Sequence, residues 1–500
     1  MQARRREIRV TRTAAISAQA SAAGQSVPPQ TVTNRRQSLA VILIGVLMAQ
    51  FDLFVVNVAA PSIQADLHAS AAAIQTAVGS YSLAYGALLI TGGRLGDAFG
   101  HAFMLRLGML SFACASALCA VSRSGSQLVA GRALQGACAA VMVPQVLALV
   151  TRLFPVSERR AATSWFGVTL GLGAVLGQSL GGVLVTSTLF GSGWRAIFLI
   201  VIPLALSAAL AITKLMPCGP AGGTMAADPA GMAGFSASLL LLFLCLTLLP
   251  DHGWTWWDWA LVAAAAGIGA VTARWERAVS TKKGNPVIDT VLLRNRVFQV
   301  GLTVNAAYFL AFGGFLFAMT FTLQSGLGET AEQSGLTFVP QGAAFACASL
   351  AGVRLASRLG TRLVTIGAAA STLACGLMLI QCLTGGIRGG PAHLLPIMGL
   401  LGAGNGLAIP AMIASMLQIV PNASSGTASG ILTTAQQVAM AFGVAIFGSV
   451  LSASVRHTHT PQVFIHGLSI DLMIAIILLA AGGLGSYRLS RQNWASSRLT

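Results

Sequence analysis

The chain has 500 residues, 55% of them apolar, with a mean hydropathy of +0.76 and only 9% charged side chains. Soluble domains carry about 25% charged residues, so this composition excludes a soluble fold and leaves an all-α membrane protein. The net charge of +17 would suit a nucleic-acid binder, but the positions of the basic residues give them another role.

Residues 1–37 form a polar tail rich in Arg, Ser and Ala, with Pro28 and Pro29 near its end. Without an apolar core it is neither a signal peptide nor a globular domain, and it reads as a disordered cytoplasmic tail. A start codon further along the chain is the alternative. Apolar segments follow, each long enough to cross a hydrocarbon layer of ~30 Å, for about 14 transmembrane helices in all. They fall near 38–61, 74–96, 102–122, 127–150, 161–188, 195–215, 233–250, 256–275, 297–320, 333–355, 361–382, 393–418, 426–453 and 467–488.

The first span carries an expensive residue. Asp52 sits in AQFDLFVVNVAAP, residues Ala49–Pro61, after a long apolar run. A carboxylate at membrane depth costs at least ~2.5–3.5 kcal/mol, so where it is retained it usually works. Of the chain's 13 acidic residues, Asp52 is the one placed deep inside a span. The helical rise of ~1.5 Å per residue sets Asp52 about 20 Å above the inner end of span one, and Arg132 about 25 Å above the inner end of span four. The two depths agree within roughly one turn. Desolvation favours the neutral acid and a nearby guanidinium favours the carboxylate, an opposition that suits a group taking up and releasing a proton. Asp52 is therefore the expected proton carrier, tuned by Arg132 and Gln135. A fixed structural ion pair is the alternative.

Further along, Trp254, Trp256, Trp257 and Trp259 crowd the loop between spans seven and eight and read as an interfacial anchor. With the N-terminus inside, the outer loops hold only Arg123, Arg195, Arg388 and Arg456, and Arg132 lies within a span. Every other basic residue is on the inner face, in clusters at Arg159–Arg160, Arg274–Arg296 (with Lys282 and Lys283), Arg354–Arg362 and the C-terminus. This bias places both termini in the cytoplasm of a multi-pass inner-membrane protein. It makes anionic membrane lipid, not nucleic acid, the partner of the positive charge.

Two seven-residue stretches echo each other. Arg94–Gly100, RLGDAFG, follows the second span and Arg354–Gly360, RLASRLG, follows the tenth. Two six-helix blocks separated by two inserted helices place both on the inner face at equivalent positions, and repeated halves around a midplane site are a transporter architecture. The expected organisation is a 1–37 tail, a 38–215 half, a 216–296 linker with two extra helices, a 297–490 half and a 491–500 tail.

Several stretches together resemble one family. FDLFVVNVAAPSI (51–63), GGRLGDAFGHAFML (92–105), LVAGRALQGACAA (128–140), GAVLGQSLGG (173–182), WRAIFLIVIP (194–203) and PVIDTVLLRNRVF (286–298) are similar to motifs of the major facilitator superfamily, in its fourteen-span drug:proton antiporter branch. The resemblance covers residues 38–490. It implies a proton-coupled secondary exporter of small hydrophobic or amphipathic compounds such as drugs, powered by the proton gradient without a cofactor and not an enzyme. Whether the exporter works with a periplasmic adaptor is left open by the sequence.

The resemblance also implies roles and shows departures. The loop between spans two and three would latch the inner gate through Arg94, Asp97 and Gly100. Its basic positions are held here by Ala98, His101 and Ala102, so the latch is expected to draw on Arg354, Arg358 and Arg362. The antiporter-motif helix keeps Gly173, Gly177, Gly181 and Gly182, a spacing that admits a close helix neighbour, as a hinge or as plain packing. Gln178 stands where the family has Pro, which removes a kink. Candidate cavity-lining groups are Gln50, Asn57, Gln145, Asn305, Tyr308, Gln341, Asn405, Gln436 and Gln437, each alternatively a helix–helix hydrogen bond. Some family members use a second deep acid in the later spans for divalent cationic drugs. Asp471 is placed here near an outer end, which favours neutral, monocationic or amphipathic substrates.

Enzyme-like patterns fail on context. Gly177–Gly181 satisfies G-x-S-x-G, but a nucleophile elbow needs a strand–turn–helix, and Ser280–Lys283 matches S-x-x-K in a charged loop. The eight cysteines show no CxxC, and His457, His459 and His466 have no neighbouring Cys or acid, so no metal site is expected. The sequon at Asn422–Ser424 falls on the inner face. Two rivals remain: a dedicated exporter of an endogenous metabolite, and a non-transporting membrane receptor or scaffold, which would have no need for an intramembrane Asp or repeated gating loops.

Overall fold

A computed structural model describes residues 35–186, 193–216, 229–252, 255–281, 295–360, 362–389, 391–418, 420, 425–455, 458 and 460–496. The tail before residue 35, Cys218, Trp254, Lys282, Lys283, the 286–294 part of the sixth motif, Asn422, His457 and His459 lie outside the described residues. Everything regular that is described is helical. The first half comprises α1 (Arg35–Leu67), α2 (Ala71–Phe99), α3 (His101–Ala120), α4 (Gly125–Leu153), α5 (Val156–Thr186), the short α6 (Ala196–Leu199) and α7 (Val201–Leu215). Two helices follow, α8 (Pro229–His252) and α9 (Trp256–Thr281). The second half comprises α10 (Arg296–Phe321), α11 (Ala331–Thr337), α12 (Val339–Leu359), α13 (Arg362–Leu383), α14 (Leu395–Gln418), α15 (Ser425–Val455) and α16 (Pro461–Ser496).

By length and composition, 13 of these helical segments can cross a membrane, with a shorter apolar stretch at Ala233–Cys245 inside α8. In hydrocarbon a helix satisfies its own backbone, and only its ends need help. Polar caps supply it: Ser70 Oγ accepts from the Ala73 amide at 3.2 Å, and Asn295 Oδ1 accepts from Val297 at 2.9 Å. Thr330 and Gln333 form a reciprocal capping box at α11. Between α2 and α3 the chain reverses at Gly100 with φ +96°, a conformation that side-chain-bearing residues rarely adopt. Pro61, Pro144 and Pro410 lie inside α1, α4 and α14.

Within the first half α2 packs on α4, α3 on α4, and α1 on α5; in the second, α10 packs on α15, and α14 on both α12 and α13. The halves meet along α2 and α15, where Gln75 Nε2 donates to Ser452 Oγ at 3.0 Å and Thr434 Oγ1 to the Gly86 carbonyl at 3.0 Å. They meet again where Gln324 Nε2 donates to the Val58 carbonyl at 2.9 Å. A Cβ on Gly182 of α5 would lie 2.3 Å from the Ala331 carbonyl oxygen, so only glycine admits α11 there. Gln75–Ser452, Gln324–Val58 and Gly182–Ala331 all lie toward the end remote from the arginine-rich loops, and that end is bridged across the halves. Helix α8 lies over the α2–α15 seam: Phe243 is buried among Leu83, Ala441 and Ala445, and Ser236 Oγ donates to the Ala87 carbonyl at 3.4 Å.

Asp471 is deeper than its sequence position suggests. The last span begins at Pro461 rather than near residue 467, which sets Asp471 ten residues into α16, about 15 Å along it. It is 1% exposed and neither carboxyl oxygen has a hydrogen-bond partner. Gly467 and Gly482, on the same stripe of α16, pack on Leu451 of α15 and Val304 of α10. The later spans therefore do hold a deep acid, turned into the packing of their own half.

Candidate functional site

Asp52, Arg132 and Gln135 are each 0% exposed and form one network. Arg132 Nη1 donates to Asp52 Oδ2 and, at 2.9 Å, to Gln135 Oε1. Gln135 Nε2 donates to Asp52 Oδ1 at 3.1 Å and to Ser116 Oγ at 2.9 Å. Residues 132 and 135 share a face of α4 because i and i+3 lie on one side of a helix. The guanidinium also lies 4.4 Å from the centroid of the Tyr81 ring, and the Tyr81 hydroxyl donates to the Ala49 carbonyl of α1 at 2.9 Å. Arg132 Nε donates to the Ala77 carbonyl at 3.4 Å, while Nη2 has no hydrogen-bond partner. A buried ion pair is tolerated only when its remaining donors and acceptors are satisfied; here one donor is left over.

Helices α5 and α10 both press on the helix that carries Asp52. A Cβ on Gly173, Gly177 or Gly181 of α5 would meet Gln50 at 2.7 Å, the Phe51 carbonyl at 2.6 Å or Val55 at 2.8 Å. The antiporter-motif glycines therefore seat α5 directly on the Asp52 segment. The next glycine, Gly182, faces the other half. Phe54, two residues past Asp52, meets Phe312 of α10 edge-on at 6.1 Å between ring centroids. The buried Gln178 leaves Oε1 without a partner.

The second half repeats the arrangement without charge. Tyr308 on α10 donates to Asn405 Oδ1 on α14 at 2.8 Å, and Ser371 on α13 donates to the same oxygen at 2.9 Å. These helices correspond in order to α1, α4 and α3, which carry Asp52, Gln135 and Ser116. Gln135 and Asn405 each stand ten residues past the start of their helix.

Other expected cavity groups are partly engaged. Asn305 Nδ2 donates to the Leu432 carbonyl at 3.5 Å and Gln436 Nε2 donates to Asn305 Oδ1 at 3.2 Å. Asn57 Nδ2 donates to the Leu53 carbonyl of its own helix at 3.3 Å. Asn57 Oδ1, Gln341 Oε1 and Gln437 Oε1 have no partner, and Gln50 is partly buried. Gln145 is bonded to His101 and to the carbonyls of Gly92 and Val141, which commits it to the α2–α3–α4 packing. In the gating turn, Asp97 faces His101 and Arg152, both of its own half, at 3.3 and 3.8 Å. Arg354 and Arg358 are exposed on the last turns of α12. Sequence reasoning missed Tyr81, Ser116 and Arg152. Tyr81, a polar aromatic inside a span, could have been singled out. Ser116 is one small hydroxyl among many.

Comparison with known proteins agrees with this architecture. The family model described as Major Facilitator Superfamily matches residues 42–444. A probable actinorhodin transporter of Streptomyces coelicolor is 35% identical over 430 residues, covering 85% of this chain and 74% of the relative. The puromycin resistance protein of Streptomyces alboniger is 30% identical over 477 residues, 92% of each chain. The methylenomycin A resistance protein of Bacillus subtilis is 30% identical over 439 residues, 86% of this chain and 90% of that one. Among solved structures, an inward-facing bacterial homologue of the human lysosomal transporter Spinster has a TM-score of 0.64 at 16% identity, covering 91% of this chain and 96% of its own. A D-xylose–proton symporter has a TM-score of 0.60 at 16% identity, covering 88% and 96%. With its two helical halves, its buried network and these relatives, the chain belongs to the major facilitator superfamily and is a multi-pass membrane transport protein, not an enzyme.

Proposed function

We propose that this protein is a proton-coupled exporter, exchanging protons for small hydrophobic or amphipathic compounds across the cell membrane with both termini in the cytoplasm. The observation that carries the reading is a wholly buried Asp52–Arg132–Gln135 network that ties α4 to α1, the helix that also touches the opposite half. Desolvation penalises the carboxylate while the guanidinium stabilises it, so a modest change in the spacing of α1 and α4 shifts the proton's occupancy. The proton gradient supplies the work, since each charge moved across 100 mV is worth ~2.3 kcal/mol. Arg132 Nη2, buried and without a protein partner, offers a donor to an oxygen on the passing compound or to water.

The test is substrate-driven proton flux in proteoliposomes with Asp52→Asn. Lost flux with retained substrate binding supports the assignment, and flux equal to wild type overturns it. A second reading, dedicated export of one endogenous metabolite, is favoured by the relative named as a probable actinorhodin transporter. A susceptibility panel on cells with and without the gene separates the two. Protection against many unrelated drugs supports multidrug export, and protection against one compound class supports dedicated export.

A further inference from the structure

At the arginine-rich end, His101 opens α3 directly after Gly100, with its residue only 6% exposed. Its Nδ1 lies 2.7 Å from Gln145 Oε1. The amide nitrogen of Gln145 donates to the Gly92 carbonyl at 2.7 Å and the Val141 carbonyl at 2.8 Å. A flipped amide would set its oxygen against two carbonyl oxygens, so oxygen is the atom that faces the imidazole, and Nδ1 must carry a hydrogen. The pair is wedged against bare backbone: a Cβ on Gly96 would lie 1.9 Å from Gln145 Oε1 and 2.5 Å from His101 Nδ1.

The other ring nitrogen faces a carboxylate. Nε2 is 3.3 Å from Asp97 Oδ1. In a neutral ring with its hydrogen on Nδ1, Nε2 is an acceptor and would meet Asp97 lone pair to lone pair. Only the imidazolium satisfies both neighbours. The charged groups acting on the ring are Asp97 from α2 and Arg152 from α4, whose Nη2 lies 3.8 Å from the same Asp97 oxygen. Helices α7 and α1, which also pack on α3, bring Lys214 and Arg35 to this end of the bundle. The Asp97 side chain is 71% exposed and connects the ring to water.

We propose that His101 is a second proton-binding site, separate from Asp52, which latches the α2–α3 turn. With a proton on Nε2, taken from the aqueous phase at this end, the ring bridges Gln145 and Asp97 and pins the turn. Without it, Asp97 is left to Arg152 and solvent, and the turn loosens. A histidine rather than an arginine holds this position, so the latch opens and closes with pH where an arginine would stay shut.

A spin label on Phe99→Cys, in a background with the native cysteines replaced, tests this without a transport assay. Phe99 is exposed in the same turn. The probe is label mobility from about pH 5 to 8, where histidine changes charge. The wild-type background is expected to shift from an immobile to a mobile component as pH rises. His101→Arg should stay immobile throughout. Asp97→Ala, which offers the ring neither a carboxylate nor a donor, and His101→Asn, which keeps a donor to Gln145, should stay mobile throughout. Asp97 is exposed, so its variant keeps the test alive if a substitution at the buried ring prevents folding. A pH profile in Asp97→Ala that superimposes on the wild-type profile, or no pH dependence in the wild type, overturns the proposal.

Discussion

Asp52 is the residue on which the account turns, and much of its surroundings was legible before any coordinates. Counting residues from span ends gave Asp52 and Arg132 matching depths, and Gln135 follows on the same helical face. Ser116 and Tyr81 were not legible, because a hydroxyl that completes a network looks no different in sequence from one that bonds its own helix. Asp471 was misplaced for a simpler reason: α16 starts six residues earlier than the apolar run suggests. Glu329 offers a residue-scale check on the bridged end of the molecule. It lies between the π turn Thr322–Gly326 and α11, outside the spans, half-buried, with Oε2 unpartnered. Burial raises its carboxyl above the ordinary glutamate value, so the folded protein holds the proton more tightly than the unfolded chain. Stability therefore falls as pH rises through the ordinary value and on through the raised one. Thermal unfolding of Glu329→Gln should show the variant more stable than wild type at neutral pH, with the difference vanishing in acid. A constant difference across pH would contradict the burial argument.

Among the elements, α5 has the most direct line to Asp52. Its glycines were visible in sequence as a packing stripe, but which helix they would face was not. The spacing says that something approaches closely and nothing about what. The structure answers with α1, through Gly173, Gly177 and Gly181, and with α11 of the other half through Gly182. One helix thus rests on both the segment that carries the acid and the opposing half. Gly177→Val would push its Cβ into the Phe51 carbonyl, which a Cβ at that position would approach to 2.6 Å. Overpacking of this kind costs roughly 1–3 kcal/mol. The variant should show a lowered unfolding temperature and reduced substrate turnover, whereas Gly167→Val, with nothing within 4 Å of its Cβ position, should leave both near wild type. Equal behaviour of the two variants would mean that the stripe does not set the α1–α5 contact. The gating turn shows the same limit of legibility. Its departures from the family pattern were plain, yet the partners of Asp97 proved to be His101 and Arg152 of its own half. Arg152 lies 55 positions away, at the far end of α4, and no local pattern marks it.

The whole molecule joins two halves that are alike in plan and unlike in charge. Asp52, Gln135 and Ser116 have Tyr308, Asn405 and Ser371 as counterparts on corresponding helices, where neutral hydrogen bonds stand in place of the ion pair, and the second half's own buried acid, Asp471, lies on α16 outside that set. The two inserted helices do not interrupt the plan, since α8 lies along the α2–α15 seam with Phe243 between the halves. If the buried acid exchanges its proton for substrate, binding alone must displace that proton before any membrane gradient is applied. The direct measurement is proton release from purified protein in weakly buffered detergent on addition of a transported compound. The wild type should release protons on binding and Asp52→Asn should bind the compound without releasing any. Release of the same size from both would place the coupling proton elsewhere.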